Sequence, residues 1–166
     1  MQELRIYVET SVWSHYYADD APDAKAKTRE FLRQCREAGP AVELYVSQVV
    51  LDELGEAAED LADRLLHLVS RHGALLLPAR EEVLDLAEAY AAHGAIPRRK
   101  LADRTHAAIA TVNQVNVLVS WNYRDFVNVP QRKKIQGVNV LLGYHNPIEI
   151  VTPPEVFGNE VQSETD

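Results

Sequence analysis

The sequence predicts an α/β fold of three layers, in which a central parallel sheet of about five strands is flanked by helices. Short apolar segments alternate with longer amphipathic segments along the chain, an order typical of a parallel sheet covered by helical crossovers. Three of the predicted strands look buried on both faces, because they are apolar almost throughout. The 166 residues, 46% of them hydrophobic, are enough for one domain with its own core but too few for two full-size domains.

Five segments are predicted to form the strands of this sheet. The first, Leu4–Val8, favours β structure and ends where the polar run Glu9, Thr10, Ser11 begins. The other four, in chain order, are Val42–Val46, Ala74–Leu77, Val115–Ser120 and Val138–Leu142. Because helical segments separate the strands, they are expected to run parallel to one another.

Apolar residues spaced three and four positions apart predict the helices between these strands. The helices cover Pro22–Glu37, a segment from about Gln48, Glu59–Ser70, Glu81–Ala92, Arg98–Gln114 and a short basic stretch at Pro130–Gln136. Gly73 and Gly94 end two of them, as glycine commonly does. We assign residues 1–152 to the domain and residues 153–166 to a C-terminal tail, which lacks periodicity and is expected to be poorly ordered.

The cysteine content and the hydropathy exclude several classes of protein. Cys35 is the only cysteine, so an internal disulfide and a cysteine-based zinc site are excluded, and a reducing cytoplasm is the expected location. No basic region followed by a long apolar run opens the chain, so no signal peptide is predicted. The apolar runs fall far short of membrane-spanning length, and no membrane contact is expected.

The net charge of −8 argues against a nucleic-acid-binding protein, which usually carries a basic face. Two local clusters have the opposite sign, and they are Arg98–Lys100 and Arg132–Lys134. An enzyme that cleaves phosphodiesters can nevertheless be acidic overall, because its metal ligands are acids and the bound metal supplies positive charge beside the phosphate.

Polar side chains fall at the positions where ligands bind in parallel α/β sheets, beyond the carboxyl ends of the strands. Glu9 follows the first strand, and Glu53 lies within two helical turns of the second. Asn122 and Asp125 lie just past the fourth strand. Asp103 is near the start of the helix that leads into that strand, so it can face the same crevice.

Taken singly, each of these residues has an ordinary structural explanation, such as a surface acid or a turn former. Together they bring acids from distant parts of the chain to one edge of one sheet. Unpaired carboxylates repel one another, which raises their pKa values and costs stability. A divalent cation would remove that conflict, and ligands that are all oxygen suit Mg²⁺ or Mn²⁺.

Four blocks of the sequence resemble, in order and spacing, the motifs of the PIN domain family. The blocks are Glu9-Thr10-Ser11, Val46–Leu54, Leu101–Ala110 and Val117–Phe126. Glu53 and Asp103 stand where the second and third motifs have their acids. The resemblance extends over nearly the whole chain, and the family includes the VapC-type toxin ribonucleases.

This resemblance implies a PIN-like fold and an endoribonuclease that hydrolyses RNA with the help of Mg²⁺ or Mn²⁺. It also implies a homodimer and, for a toxin of a toxin–antitoxin pair, a small antitoxin protein as partner. We expect Glu9, Glu53 and Asp103 to hold the metal, directly or through water. Asn122 and Asp125 are expected to complete the catalytic set.

The substrate is expected to contact both hydroxyl and basic side chains. A hydroxyl of the first block is expected to anchor a water or a phosphate oxygen, and nearby cations are expected to guide the RNA. The expected contacts are Thr10, Ser11, Arg98, Arg99, Lys100 and Arg124.

Two departures from the family pattern leave alternatives open. Glu9 stands where the family usually has aspartate, and Asn122 stands where many members have an acid. One alternative is therefore a PIN-like binding module with weakened or lost catalysis, which acts through RNA or protein contacts. Another is a different α/β class, such as a phosphatase or a phospho-acceptor receiver, although a receiver needs an aspartate at the strand end where this chain has Glu9.

Overall fold

A parallel β-sheet forms the centre of the structure, a computed structural model that describes residues 3–158. Its strands are β1 (Leu4–Val8), β2 (Val42–Val46), β3 (Leu75–Leu76), β4 (Val117–Val119) and β5 (Glu149–Val151). They lie in the order β3-β2-β1-β4-β5, and all neighbouring pairs are parallel. The predicted α/β fold with a central parallel sheet is confirmed.

Seven α-helices within the described residues flank this sheet. They are α1 (Thr10–His15), α2 (Pro22–Ala38), α3 (Gln48–Gly55), α4 (Glu59–Arg71), α5 (Glu81–Ala92), α6 (Leu101–Val112) and α7 (Val129–Leu141). Two 3₁₀ turns, Gly39–Ala41 and Pro153–Glu155, and a short π-helix, Tyr123–Val127, complete the secondary structure. The sequence predicts the place of every helix except α1, whose few residues include the β-branched Thr10 and Val12, types that favour strands.

Strand β1 lies at the middle of the sheet and supports the residues that follow it. Ile6, Tyr7 and Val8 are completely buried. The register places Ile6 between Leu44 of β2 and Val117 of β4. Each apolar side chain buried in this way stabilises the fold by roughly 1.5–3 kcal/mol, so the position of β1's carboxyl end is firmly held.

The predicted fifth strand, Val138–Leu142, is wrong, because these residues continue helix α7 instead. The Asn128 side chain accepts a hydrogen bond from the backbone N–H of Gln131 (2.9 Å), which caps the helix and favours its propagation. Ile135, Val138 and Asn139 then fall on the buried face at helical spacing. The fifth strand is Glu149–Val151, which is too short and too polar at its start to be distinguished in the sequence.

The prediction that Ala74–Leu77 is a strand buried on both faces is also wrong. Strand β3 comprises only Leu75 and Leu76, whose residues are 50% and 56% exposed. It pairs with β2 alone and is therefore an edge strand. Apolar composition does not distinguish an edge strand from a central one, because the side chains are the same and only the neighbours differ.

Helix α6 and strand β4 are both shorter than predicted. Lys100 has a non-helical backbone (φ −95°, ψ 60°), and its N–H bonds to the carbonyl of Pro97 in a turn, so the helix begins at Leu101. At the other end, the N–H of Val115 bonds back to the carbonyl of Ala110 and is not available to the sheet. Residues 98–100 therefore form a turn at the mouth of the crevice rather than a helical face.

The first part of the C-terminal tail packs on the domain. The turn Pro153–Glu155 contacts α2, and the ring of Phe157 lies 6.2 Å from that of Phe31. Residues 159–166 lie outside the described part of the chain. Within residues 3–158, no helix combines the length and the apolar character that crossing a membrane requires.

Candidate metal centre

The candidate site lies at the carboxyl edge of the sheet, where the connections change direction. From β1 the chain proceeds through β2 to β3 on one side, and later through β4 to β5 on the other. The crevice between β1 and β4 is thus the switch point at which parallel α/β sheets bind ligands. Glu9 follows β1 at this point, and Ser120 follows β4 beside it.

Glu9 is a buried carboxylate held by two hydroxyl groups. The residue is 5% exposed, and its Oε1 accepts hydrogen bonds from Ser11 Oγ (2.5 Å) and Ser120 Oγ (2.7 Å). Among residues 3–158, no hydrogen bond reaches its other oxygen, Oε2, which lies 4.0 Å from His106 Nε2. Because one oxygen is fixed by neutral donors, the other is aimed into the cluster and keeps its capacity to bind a cation.

Glu53, on α3, is fixed in the same manner. Its Oε1 accepts hydrogen bonds from Thr10 Oγ1 (2.7 Å) and His106 Nε2 (2.6 Å). Burial acts to raise the pKa of Glu53, but the hydrogen bond and charge of His106, aided by Thr10, outweigh it and lower the pKa below the usual value. Glu53 is therefore ionised near neutral pH and is ready to act as a ligand.

A buried chain of hydrogen bonds orients His106. Its Nδ1 lies 2.6 Å from the hydroxyl of Tyr7, which in turn lies 2.7 Å from Ser47 Oγ. An ionised Glu53 can only accept, so His106 Nε2 must carry a proton. When the ring is neutral, Nδ1 accepts from Tyr7 and Ser47 donates to Tyr7; when the ring is protonated, Nδ1 donates to Tyr7 and Tyr7 donates to Ser47. Both ring nitrogens have partners, which makes His106 a residue that positions Glu53 rather than a free ligand.

Asp103 and Asp125 lie beside this cluster and influence each other. Burial, and then the negative charge of Asp125, raise the pKa of Asp103 to about 6, and the charge of Glu9 contributes in the same direction. Asp125 accepts from Lys100 Nζ (2.6 Å) and from Asn122 Nδ2 (3.1 Å). Although burial opposes them, these two contacts lower the pKa of Asp125. The charge of His106 lowers the pKa of Asp103 only in part, and the hydrogen bond between the two carboxyl groups favours the protonated form of Asp103 and the ionised form of Asp125.

The donor set fits a hard divalent cation. One ligand atom from each of Glu9, Glu53 and His106 lies within 4.8 Å of the others. Asp103 is not a member of this group, but it is close enough for the charges of His106 and Glu9 to affect its pKa. Carboxylate oxygens are the ligands that Mg²⁺ and Mn²⁺ prefer. The free Oε2 atoms of Glu9 and Glu53, together with Asp103, could hold such an ion.

The residues expected to contact substrate have different surroundings. The hydroxyls of Thr10 and Ser11 donate to the carboxylates of Glu53 and Glu9, so they orient acids in this structure. The predicted cations also differ in their contacts: Arg98 pairs with Glu88 (2.7 Å), Lys100 pairs with Asp125, and Arg99 and Arg124 are exposed. Arg98 therefore points its charge at α5 and not at the acids.

Sequence reasoning overlooks the polar residues beneath the acids. Tyr7, Ser47 and Ser120 are completely buried and form part of the hydrogen-bonded support. In the sequence, Tyr7 is marked by its hydroxyl group in an otherwise apolar part of the central strand. His106 is marked by its position one helical turn after Asp103 on the same helix. Neither signal distinguishes a packed residue from a functional one until the fold is known.

Comparison with known proteins gives a family match and a fold match. The PIN domain profile matches residues 6–131. VapBC-1 from nontypeable Haemophilus influenzae has a similar structure (TM-score 0.57, 14% identity), covering 90% of this chain and 98% of that chain. VapBC2 from Rickettsia felis, bound to a DNA fragment from their promoter, is also similar (TM-score 0.54, 16% identity, 90% and 98% coverage). No curated protein sequence matches the chain.

Replacement of Asp103 by asparagine is expected to stabilise the metal-free protein. The pKa of Asp103 rises from 3.8 to about 6 on folding, so its ionised form opposes folding above pH 6 and this penalty disappears below pH 4. Asp103→Asn should therefore raise the free energy of unfolding in chelator at pH 7.5 by on the order of 1 kcal/mol, and by much less at pH 4. Urea titrations at the two pH values measure this.

The control for this experiment is Asp52→Asn, which removes an exposed acid that bonds only to Gln48 on its own helix. It should change stability little at either pH. A variant Asp103→Asn that is less stable than wild type at pH 7.5 would show that Asp103 is compensated in the folded state and is not repelled by its neighbours.

Loss of the Tyr7 hydroxyl is expected to weaken metal binding through His106. Tyr7→Phe leaves Ser47 and His106 Nδ1 without a partner, which should cost about 1–3 kcal/mol of stability and release the orientation of Glu53. Changes in such supporting residues typically reduce metal affinity by roughly 10–100-fold. Calorimetric titration with Mn²⁺ would measure the loss.

Tyr90→Phe provides a matched control, because Tyr90 is equally buried and its hydroxyl donates to Asn139 of α7 (2.5 Å). This variant should lose comparable stability and keep its metal affinity. Equal affinities for wild type and Tyr7→Phe would refute the orienting role.

Proposed function

The chain belongs to the PIN domain family, and we propose that it is a metal-dependent endoribonuclease that hydrolyses RNA phosphodiester bonds. Glu9, Glu53 and Asp103 would hold Mg²⁺ or Mn²⁺. One observation carries the proposal: carboxylate oxygens of Glu9 and Glu53 lie within 4.8 Å of each other at the switch point of the sheet, and the charge of Glu9 acts on Asp103. A set of acids that repel one another is costly unless a cation is shared among them.

The chain's own residues prepare this site before any ligand arrives. Ser11 and Ser120 fix Glu9, while Thr10 and His106 fix Glu53. Such support reduces the reorganisation that binding would otherwise require. A bound divalent ion supplies polarisation of a phosphoryl oxygen and a lowered pKa for an attacking water.

The other two residues of the expected catalytic set, Asn122 and Asp125, have contacts that a substrate phosphate could change. Asn122 caps the π-helix by accepting from the backbone N–H of Asp125 (3.0 Å) and holds that carboxylate through its own amide. Lys100 neutralises the same carboxylate. When a phosphate enters, the ammonium group of Lys100 can exchange Asp125 for a phosphate oxygen, which frees Asp125 to position a water.

We further propose that the chain is the toxin of a toxin–antitoxin pair, with a small antitoxin protein as partner and a homodimer as the assembled form. The support is the family membership and the likeness of the fold to the VapBC structures. Size-exclusion chromatography with light scattering, on the chain alone and after co-expression with a candidate antitoxin, tests both the dimer and the partner.

The alternative is a binding module with weakened catalysis, and three observations favour it. Glu9 carries one more methylene than the aspartate usual in the family, and Asn122 is a neutral ligand. In addition, Lys100 already neutralises Asp125. A site of this kind would bind a cation less tightly, because Mg²⁺ tolerates little error in the placement of its oxygens.

The nuclease proposal predicts that Asp103→Asn abolishes cleavage of single-stranded RNA in Mg²⁺ or Mn²⁺. Loss of one charged ligand should reduce the rate at least about a hundredfold, since metal assistance contributes several kcal/mol to the transition state. Gel analysis of end-labelled RNA measures the rate, and circular dichroism checks the fold. Asp52→Asn is the control and should cleave like wild type, and cleavage by Asp103→Asn at the wild-type rate would remove the proposed mechanism.

The effect of Glu9→Asp separates the nuclease from the weakened binding module. In the structure the longer side chain places Oε1 within reach of both Ser11 and Ser120. A shorter side chain would no longer reach these hydroxyls, so the nuclease proposal predicts slower cleavage and weaker Mn²⁺ binding by Glu9→Asp. A gain of cleavage on this change would instead show that Glu9 had impaired the metal site.

A further inference from the structure

One part of this acidic chain contains no acids. The chain has 25 aspartates and glutamates in 166 residues, but none lies between Asp125 and Glu149. This stretch includes all of α7 and three consecutive cations, Arg132–Lys134. With Arg124 just before it, the stretch forms a continuous positive region in a molecule of net charge −8.

These cations have no carboxylate partner within residues 3–158. Arg124, Lys133 and Lys134 are exposed, and none of them forms an ion pair there. Arg132 donates to the backbone carbonyl of Ile150 (3.3 Å), which holds its guanidinium beside β5 without neutralising it. By contrast, Lys100 is neutralised by an acid. The positive charge of α7 is therefore available to a ligand.

A groove of about 470 Å³ runs between α7 and β5 beside these cations. Val129, Arg132, Lys133 and Val140 line it from α7 at helical spacing, so one face of the helix forms one wall. Val129 and Val140 are 51% and 52% exposed, which gives the wall an apolar surface between the charges. Glu149 is the single carboxylate among the lining residues.

The groove residue Val129 follows, two residues along the chain, the π-helix Tyr123–Val127. The π-helix that carries Asp125 packs against both α7 and β5, the two elements that form the groove. Tyr123 in this π-helix is 57% exposed. An exposed aromatic ring is thus carried by the short helix that contains Asp125 and leads into α7.

We propose that this surface, consisting of the α7–β5 groove and Tyr123, binds single-stranded RNA on one side of the phosphate that is cleaved. The inference rests on the proposed function. Cations that track a phosphate backbone and an aromatic ring on which a base can stack are the two elements of single-strand recognition. The apolar wall suits unstacked bases, whereas a duplex would present only its backbone. An acidic peptide would use the cations but would gain nothing from Tyr123.

The test measures the binding of a short fluorescein-labelled single-stranded RNA by anisotropy in chelator, over a range of salt concentrations. Arg132→Glu combined with Lys133→Glu should weaken binding about tenfold and reduce the salt dependence, by about 0.7 in the logarithmic slope for each phosphate that the protein no longer neutralises. The matched control is Arg71→Glu combined with Arg80→Glu, which makes the same change of net charge beside β3, at the opposite edge of the sheet. This control should bind nearly as wild type does.

A second pair of variants tests the stacking role. Tyr123→Leu should weaken binding of the single strand several-fold, while Tyr123→Phe keeps the ring and should bind as wild type does. The same RNA annealed to its complement should bind less tightly than the single strand. Equal losses of affinity in the groove variant and its control, an unaffected Tyr123→Leu, or tighter binding of polyglutamate than of RNA would each overturn the proposal.

The outcomes also distinguish a failure of the groove proposal from a failure of the nuclease proposal. If wild type cleaves RNA and the groove variant binds and cleaves equally well, the groove proposal falls and the nuclease stands. If wild type cleaves no RNA but binds the single strand through the groove and Tyr123, the nuclease proposal falls and the surface remains a single-strand binding site.

Discussion

The mutual repulsion of carboxylates at one edge of the sheet is the constraint on which the account of this molecule depends. The fold brings carboxylate oxygens of Glu9 and Glu53 within 4.8 Å of each other, and Asp103 lies near enough to Glu9 for that charge to affect its pKa. The three acids differ in how the fold stabilises their ionised forms. Hydroxyl groups and His106 donate hydrogen bonds to Glu9 and Glu53, whereas the pKa of Asp103 rises to about 6. A cation shared by these acids would offset the repulsion that raises the pKa of Asp103.

The distribution of charge explains how an acidic protein could act on a polyanion. Near the acids, Asp125 neutralises the charge of Lys100, so this charge would be available to RNA only when a phosphate displaces Asp125 from the ammonium group. Along α7 the cations form no ion pair with any acid of residues 3–158, and acids are absent from that part of the sequence. The net charge describes the whole surface, whereas binding depends on the local field beside the site. The two basic clusters of the sequence therefore differ in their surroundings. Arg98 and Lys100 of the first cluster pair with acids, whereas the second cluster, Arg132–Lys134 on α7, can bind an anionic ligand.

Most of the fold could be predicted from the sequence, because alternating apolar and amphipathic segments constrain a parallel sheet strongly. The failures concern β3 and β5, where edge position and strand length depend on neighbours that the pattern does not contain. The approach of Glu9 and Glu53 to each other follows from topology, because both residues lie beyond the carboxyl ends of neighbouring strands. The roles of Tyr7 and His106 could not be predicted, because a hydrogen-bonded chain across β1, α3 and α6 exists only once these elements are packed. Lys100 was expected to face the RNA, and its pairing with Asp125 depends on the turn that delays the start of α6.

A crystal of the wild-type protein grown with Mn²⁺ and measured near the manganese absorption edge tests the central claim most directly. The account predicts one anomalous peak in the crevice between β1 and β4, with carboxylate oxygens of Glu9, Glu53 and Asp103 bound to it directly or through water. An empty crevice at millimolar Mn²⁺, or a peak only at some other surface, would contradict the claim that these acids share a cation.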